Sequence, residues 1–282
     1  TAYEIYQCDW SSDVCSSDLV TPDSFSDGGV AYSPEAAAER AHRLVAEGAD
    51  ILDLGAESTR PGAAPVDAQT ELGRLLPAIA AIRKALPAIP LSVDTYKAEV
   101  ARACIEAGAD IINDVEGGAY QATSGDSPMA RTCAELRCPL IVMHRRKEPN
   151  YKDFWPEIIA ETRSLLQRAR DAGIAPEQLW VDPGFGFGKT PAQNLQLVRE
   201  LGRFAALGYP VLLGTSRKST LGMVLSESDP LKRHEATVAT CLWGVTQGAA
   251  MVRVHDVAPI KRYLVVAKAL RQGTNWRPEG FA

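Results

Sequence analysis

No two of the six cysteines form a Cys-x-x-Cys pair, and none has a histidine neighbour at the spacing of a zinc site. That excludes the common zinc modules and thioredoxin-like redox pairs. It leaves Cys8, Cys15, Cys104, Cys133, Cys138 and Cys241 to be read as free thiols of a reducing compartment. Long apolar runs are missing too: none approaches the roughly 18 residues that a membrane helix needs. The N-terminus lacks a basic stretch followed by an apolar one, so no secretory signal is expected and the reading is cytoplasmic. Basic charge is not in excess either. Lys and Arg number 30 against 35 Asp and Glu, a net charge of −5, which disfavours a nucleic-acid or anionic-membrane surface. A small anionic ligand remains compatible with a local convergence of Arg and Lys. The Ser-rich segment 11–17 has no Gly elbow and no Ser/His/Asp order, so acyl transfer finds no support.

What is present is a repeated unit. The 282 residues, 46% hydrophobic, suit one large domain. Short continuous apolar runs follow helix-period stretches all along the chain: ADILDLG (49–55), IPLSVDT (89–95), ADIINDV (109–115), PLIVMH (139–144), LWVDPG (179–184), YPVLLGTS (209–216) and AAMVRVHD (249–256). Continuous runs are those of parallel strands covered on both sides. Ser33 and Pro34 suit an N-cap and a first helical turn, and Gly48 suits a helix stop. Seven βα units are legible, and an eighth strand belongs just before VTPDSF. Without a dinucleotide fingerprint, this pattern predicts an α/β fold of the TIM (β/α)8 type in a single domain.

Polar groups fall at the C-terminal ends of these runs: Asp53 and Glu57, Asp94, Asn113 and Asp114, His144, Asp182, Ser216 to Lys218, and Arg253 with His255. In a (β/α)8 barrel all such ends converge on one face. Any one of them could be a helix cap. Seven together point to a site. Asp94, Asn113 and Asp182 suit a flat heterocycle with N–H and C=O edges. Arg60, Lys218, Arg253 and His255 point to a phosphate or carboxylate.

GFGKT (186–190) ends like a P-loop, but Pro183 stands where that motif needs glycine, and Lys189 breaks G-x-G-x-x-G. Its glycines are better read as allowing a sharp turn beside a ligand. Phe185 and Phe187 are candidates for core, or for packing on an aromatic substrate. His144 has no evident partner, and Arg145, Arg146 and Lys147 read as a solvated loop.

VTPDSFSDGG, GAESTRPGA, SVDTYK, IINDV, DPGFGFGK, GTSRKS and VRVHDV, in this order and one per unit, resemble the successive signatures of the dihydropteroate synthase family. The resemblance covers residues 20–256. It implies a TIM barrel, a homodimer, and condensation of 6-hydroxymethyl-7,8-dihydropterin diphosphate with 4-aminobenzoate to give 7,8-dihydropteroate and diphosphate, with Mg²⁺ as cofactor. By the same resemblance Asp94, Asn113, Met143, Asp182 and Lys218 match the pterin pocket. Thr59, Arg60, Arg253 and His255 match the diphosphate binders. Phe25, Pro61, Phe187 and Ser219 match the 4-aminobenzoate pocket, which sulfonamides mimic. Lys218, Asp94, Asp182, Arg253 and His255 are the expected catalytic groups.

One departure stands out. The family's opening motif reads Asn-Val-Thr-Pro-Asp-Ser-Phe, and that Asn ligates Mg²⁺ and diphosphate. Here Leu19 takes its place, so the metal site is expected not to be intact, since Mg²⁺ demands oxygen ligands. The preceding DWSSDVCSSDL has no strand period and resembles the one-frame translation of a short-read sequencing adapter. Residues 1–19 are therefore expected to be a non-native segment ahead of a domain at 20–282, with the first strand corrupted or missing. Two other readings stay open: a non-catalytic pterin binder, and a pterin-dependent methyltransferase domain.

Overall fold

The computed structural model describes residues 13–19, 33–57, 64–123 and 126–277; within the first segment, side chains are described for Val14 and Cys15 alone. Eight parallel strands close into a barrel in chain order. They are β1 (Asp13–Leu19), β2 (Ile51–Gly55), β3 (Leu91–Asp94), β4 (Ile111–Asp114), β5 (Leu140–Met143), β6 (Leu179–Asp182), β7 (Val211–Leu213) and β8 (Ala249–Val254). The helices outside are α1 (Pro34–Ala46), α2 (Ala68–Ala85), α3 (Ala98–Glu106), α4 (Pro128–Leu136), α5 (Phe154–Asp171), α6 (Pro191–Arg199), α7 (Gly202–Ala205), α8 (Ser219–Leu225), α9 (His234–Thr246) and α10 (Val257–Gln272). No helix among the described residues is long and apolar enough to cross a membrane.

Helix starts follow local chemistry. The Ser33 hydroxyl accepts from the Ala36 amide at 3.2 Å with Pro34 in the first turn. Thr190 and Gln193 form a reciprocal capping box on α6.

Strand alternation sorts the side chains into two cores. Leu52, Leu54, Ile112, Val142, Val181, Leu213 and Val252 point outward and pack under the helices. Cys15, Ile51, Ile111, Ile141, Trp180, Leu212 and Met251 fill the barrel interior. Two residues further along, the inward position becomes Asp53, Asn113, Met143, Asp182 and Arg253. Each of these five strands thus carries an apolar plug below and a site residue above, at a rise of about 3.3 Å per residue.

The structure corrects the expectation of a missing first strand. Asp13–Leu19 is β1, parallel to β2 (Cys15 opposite Ile51, Leu19 opposite Gly55) and to β8 (Asp13 opposite Met251). Strand pairing uses backbone groups, so an unpatterned sequence can still complete the ladder. Asp50 fixes its start: the Val14 amide donates to Asp50 Oδ2 at 2.9 Å, and Lys261 binds both carboxylate oxygens at 2.8 and 2.6 Å. Closure leaves no open strand edge in the barrel.

Candidate active site

Arg253 organises one half of the barrel mouth. Its Nε donates to Asp53 Oδ2 at 2.6 Å, and an NH2 hydrogen reaches Asp94 Oδ2 at 2.9 Å. Asn113 Nδ2 lies 3.5 Å from the same Asp53 oxygen. Asp53 Oδ1, Ser92 Oγ and Asn113 Oδ1 are buried with no hydrogen-bond partner. A buried polar atom without a partner is costly, so this floor is set to receive a ligand's hydrogen-bonding edge. Burial pushes the Asp94 carboxyl up to about 7, against the pull of Arg253. Burial also opposes the Arg253 charge, but Asp53 and Asp94 outweigh it and hold its pKa up.

The other half is built by the loop after β6. Asp182 Oδ1 accepts from the Gly184 amide at 2.7 Å, and its pKa is raised by burial against the opposing charge of Lys218. Gly184 and Gly188 have φ of +70° and +58°; a Cβ there would stand 1.9 Å from the His144 carbonyl oxygen and 2.1 Å from that of Arg146. Only glycine permits that turn and approach. Phe185 is buried core, whereas half-buried Phe187 has Lys218 Nζ 4.7 Å from its ring centre. Lys218 Nζ also donates to the Phe185 carbonyl. Burial lowers the Lys218 pKa to about 8, with Asp182 pulling the other way. Gly214 separates the halves: a Cβ there would lie 3.8 Å from Arg253 Cβ and 4.0 Å from Asp182 Oδ2. At the rim, His255 Nδ1 lies 2.9 Å from Ser216 Oγ.

The pocket thus offers acceptors in its floor, two cations and an imidazole at its rim, and one aromatic wall. The family model described as pterin binding enzyme matches residues 20–255. The dihydropteroate synthase of Bacillus subtilis is 44% identical over 251 residues, covering 89% of this chain and 86% of that protein.

The chain belongs to the dihydropteroate synthase family.

The Synechocystis dihydropteroate synthase is 43% identical over 89% of this chain and 87% of its own length. Among solved structures, Xanthomonas albilineans dihydropteroate synthase with 4-aminobenzoic acid superposes at a TM-score of 0.86, with 42% identity over 92% of this chain and 93% of that one. The Yersinia pestis dihydropteroate synthase in a sulfonamide drug complex also gives 0.86, with 37% identity over 94% and 96%. Family membership makes this chain a transferase of folate biosynthesis.

Of the family-derived positions, Asp94, Asn113, Met143, Asp182, Lys218, Arg253, His255 and Phe187 lie at strand ends or in the loops that follow them, and Ser219 opens α8. Phe25, Thr59, Arg60 and Pro61 lie outside the described residues. In the basic loop after β5, Lys147 is exposed as expected, but Arg145 and Arg146 are not simply solvated. Arg146 pairs with Glu157 at 2.7 Å and with Glu161, and stacks 4.0 Å from the Tyr151 ring centre; Arg145 pairs with Glu116. His144 has partners after all: it is buried, with Nε2 2.7 Å from Glu161 Oε2.

Sequence reasoning gave no role to Asp53, which anchors Arg253, or to Ser216, which orients His255. Their signal was present: both occupy strand-end positions of the functional layer. Arg217 is turned the other way, to Asp256, with its Nε at 3.1 Å.

Leu19 ends β1, at the mouth, in the place of the family's metal-binding Asn. A hydrocarbon side chain has no oxygen for Mg²⁺, and among the described residues no three His, Cys, Asp or Glu side chains converge on a possible metal position.

Proposed function

We propose that Asp94, Asn113 and Asp182 bind the pterin ring in this dihydropteroate synthase, that Arg253 and His255 bind its diphosphate, and that Phe187, Ser219 and Lys218 form the 4-aminobenzoate pocket. The observation that carries this reading is the convergence of buried, unpartnered acceptors in the floor with Arg253 and Lys218 above them. The pterin ring presents N–H donors to the acceptors. The aromatic ring of 4-aminobenzoate has Phe187 to pack against, and Lys218 lies between the two pockets.

The chemistry needs no protein nucleophile. The bond from the pterin methylene carbon to the diphosphate oxygen breaks, and its electron pair leaves with diphosphate. The resulting cation is delocalised into the ring, and the negative Asp94 and Asp182 favour it electrostatically. Arg253 and His255 receive the charge that builds on the leaving group. The arylamine nitrogen then forms the new C–N bond and loses a proton. Steady diphosphate release that requires both substrates tests this assignment. Release with pterin diphosphate alone, or none with both, would reject it.

A non-catalytic pterin binder is the second reading, and Leu19 favours it. Calorimetric pterin binding without turnover at saturating Mg²⁺ would support it. We further propose a homodimer. Exposed apolar side chains on the later helices, including Met223, Val224, Trp243, Val266 and Leu270, support a second copy as the partner, and sedimentation tests it. A cytoplasmic location accords with Cys104, Cys133, Cys138 and Cys241, which are buried and not in disulfides.

A further inference from the structure

One buried charge remains unused by this reading. Lys189, the lysine of the P-loop look-alike, turns inward. Its Nζ donates to the carbonyls of Gly184 at 2.9 Å, Phe187 at 3.0 Å and His144 at 3.3 Å, and sits 3.3 Å from His144 Nδ1. Among the described residues no hydrogen bond joins it to a carboxylate. Burying an ammonium this way is costly unless every donor finds an acceptor, and here four acceptors surround three donors.

The acceptors belong to three separate places: the end of β5, the turn after β6 and the tip of that turn. Without the ammonium, the inward-facing carbonyls of Gly184 and Phe187 would lose their shared donor. Phe187 is otherwise tied to the turn by its amide, which donates to the Gly184 carbonyl at 3.1 Å. The support reaches further back. Burial and the neighbouring Lys189 charge lower the His144 pKa to about 4, so its ring is neutral. A neutral ring that donates from Nε2 to Glu161 leaves Nδ1 free to accept from Lys189.

We propose that Lys189 is a positioning residue for the second-substrate pocket. Its ammonium clamps the loop after β6 so that the Phe187 ring faces Lys218, with Nζ 4.7 Å from the ring centre. This rests on the assignment of Phe187 and Lys218 to 4-aminobenzoate given above. The Arg253 network holds Asp53, Asp94 and Asn113 of the pterin pocket separately, so loss of the clamp weighs more on the second substrate than on the pterin.

The test compares Lys189→Met and the milder Lys189→Gln with the parent chain. In Lys189→Met, the KM for 4-aminobenzoate and the inhibition constant of a sulfonamide should rise together by about tenfold, while kcat and the Kd for pterin diphosphate stay within about twofold. Lys189→Gln should fall between, since an amide supplies two of the three donors and keeps a measurable variant if the methionine misfolds. Hydrogen exchange of the peptide spanning 183–190 should rise by about tenfold in either variant, with the other strands unchanged. Unchanged exchange there would overturn the clamp. Faster exchange with equal losses for both ligands, or with no loss for 4-aminobenzoate, would overturn the positioning role. A parent chain that releases no diphosphate would instead reject the assigned function, and the exchange measurement would still decide the clamp.

Discussion

Arg253 and the lysine pair at 189 and 218 sit in the same barrel mouth, yet their charges are held in opposite ways. Arg253 is gripped by two carboxylates, Asp53 and Asp94, and its pKa is held up. Lys218 and Lys189 are held mainly by backbone carbonyls, and burial lowers them to about 8 and about 7. A carboxylate partner compensates a buried cation in charge, whereas a carbonyl offers only a dipole. One half of the site is therefore electrostatically locked, and the other lies within reach of neutral pH.

The largest expected effect is on the locked half. Arg253→Met should lower kcat/KM by about 10³-fold, because an aimed donor to the leaving group is lost. It should also destabilise the barrel by about 3–5 kcal/mol, since Asp53 and Asp94 are left buried without their counter-charge. Steady-state kinetics with denaturant melts check both. A stable, active variant would break the contrast at its root.

Next comes the titratable half. Lys218 is an ammonium below about 8 and neutral above, so activity should fall as pH rises through that value. Asp94, pushed up to about 7, gains its negative charge as pH rises through that point, so the acid side should fall there. The profile is then a narrow bell. Lys218→Arg should remove the alkaline limb of kcat, because guanidinium stays charged and Lys189 acts on the KM of the second substrate. A profile without an alkaline fall would show that Lys218 does not titrate in the working range.

A smaller effect is expected at the end of β1. Leu19→Asn should raise turnover at saturating Mg²⁺ by about tenfold, which activity measured across Mg²⁺ concentrations checks. An unchanged rate would mean that β1 supplies a strand and no ligand. The smallest is Ser216→Ala, which should weaken diphosphate binding by about threefold to tenfold through loss of one orienting hydrogen bond to His255, measured by diphosphate inhibition.

Much of this site was legible in the chain. Asp94, Asn113 and Asp182 follow apolar runs and cannot stay in a barrel wall, so period and position together place them at the mouth. The orientation of neighbours was not legible. Arg217 and Lys218 are adjacent, yet one turns to Asp256 and the other into the pocket, a choice made by the positive φ of 58° at Arg217 and by packing. His144 and Arg146 looked unpartnered because Glu161 stands on α5, well away in sequence. Lys189 read as a failed nucleotide motif, and its three carbonyl acceptors are backbone groups that no motif displays.

By itself the sequence determined the eight-unit order, the outward apolar layer and the polar ring, since these depend on local period and on helix caps. Only the tertiary structure decided how the ring is wired. Arg253 meets Asp53 across 200 residues of chain, and Asp13–Leu19 joins β2 and β8 despite its lack of pattern. Barrel closure is the physical reason: it brings the first and last strands together and makes backbone pairing obligatory there.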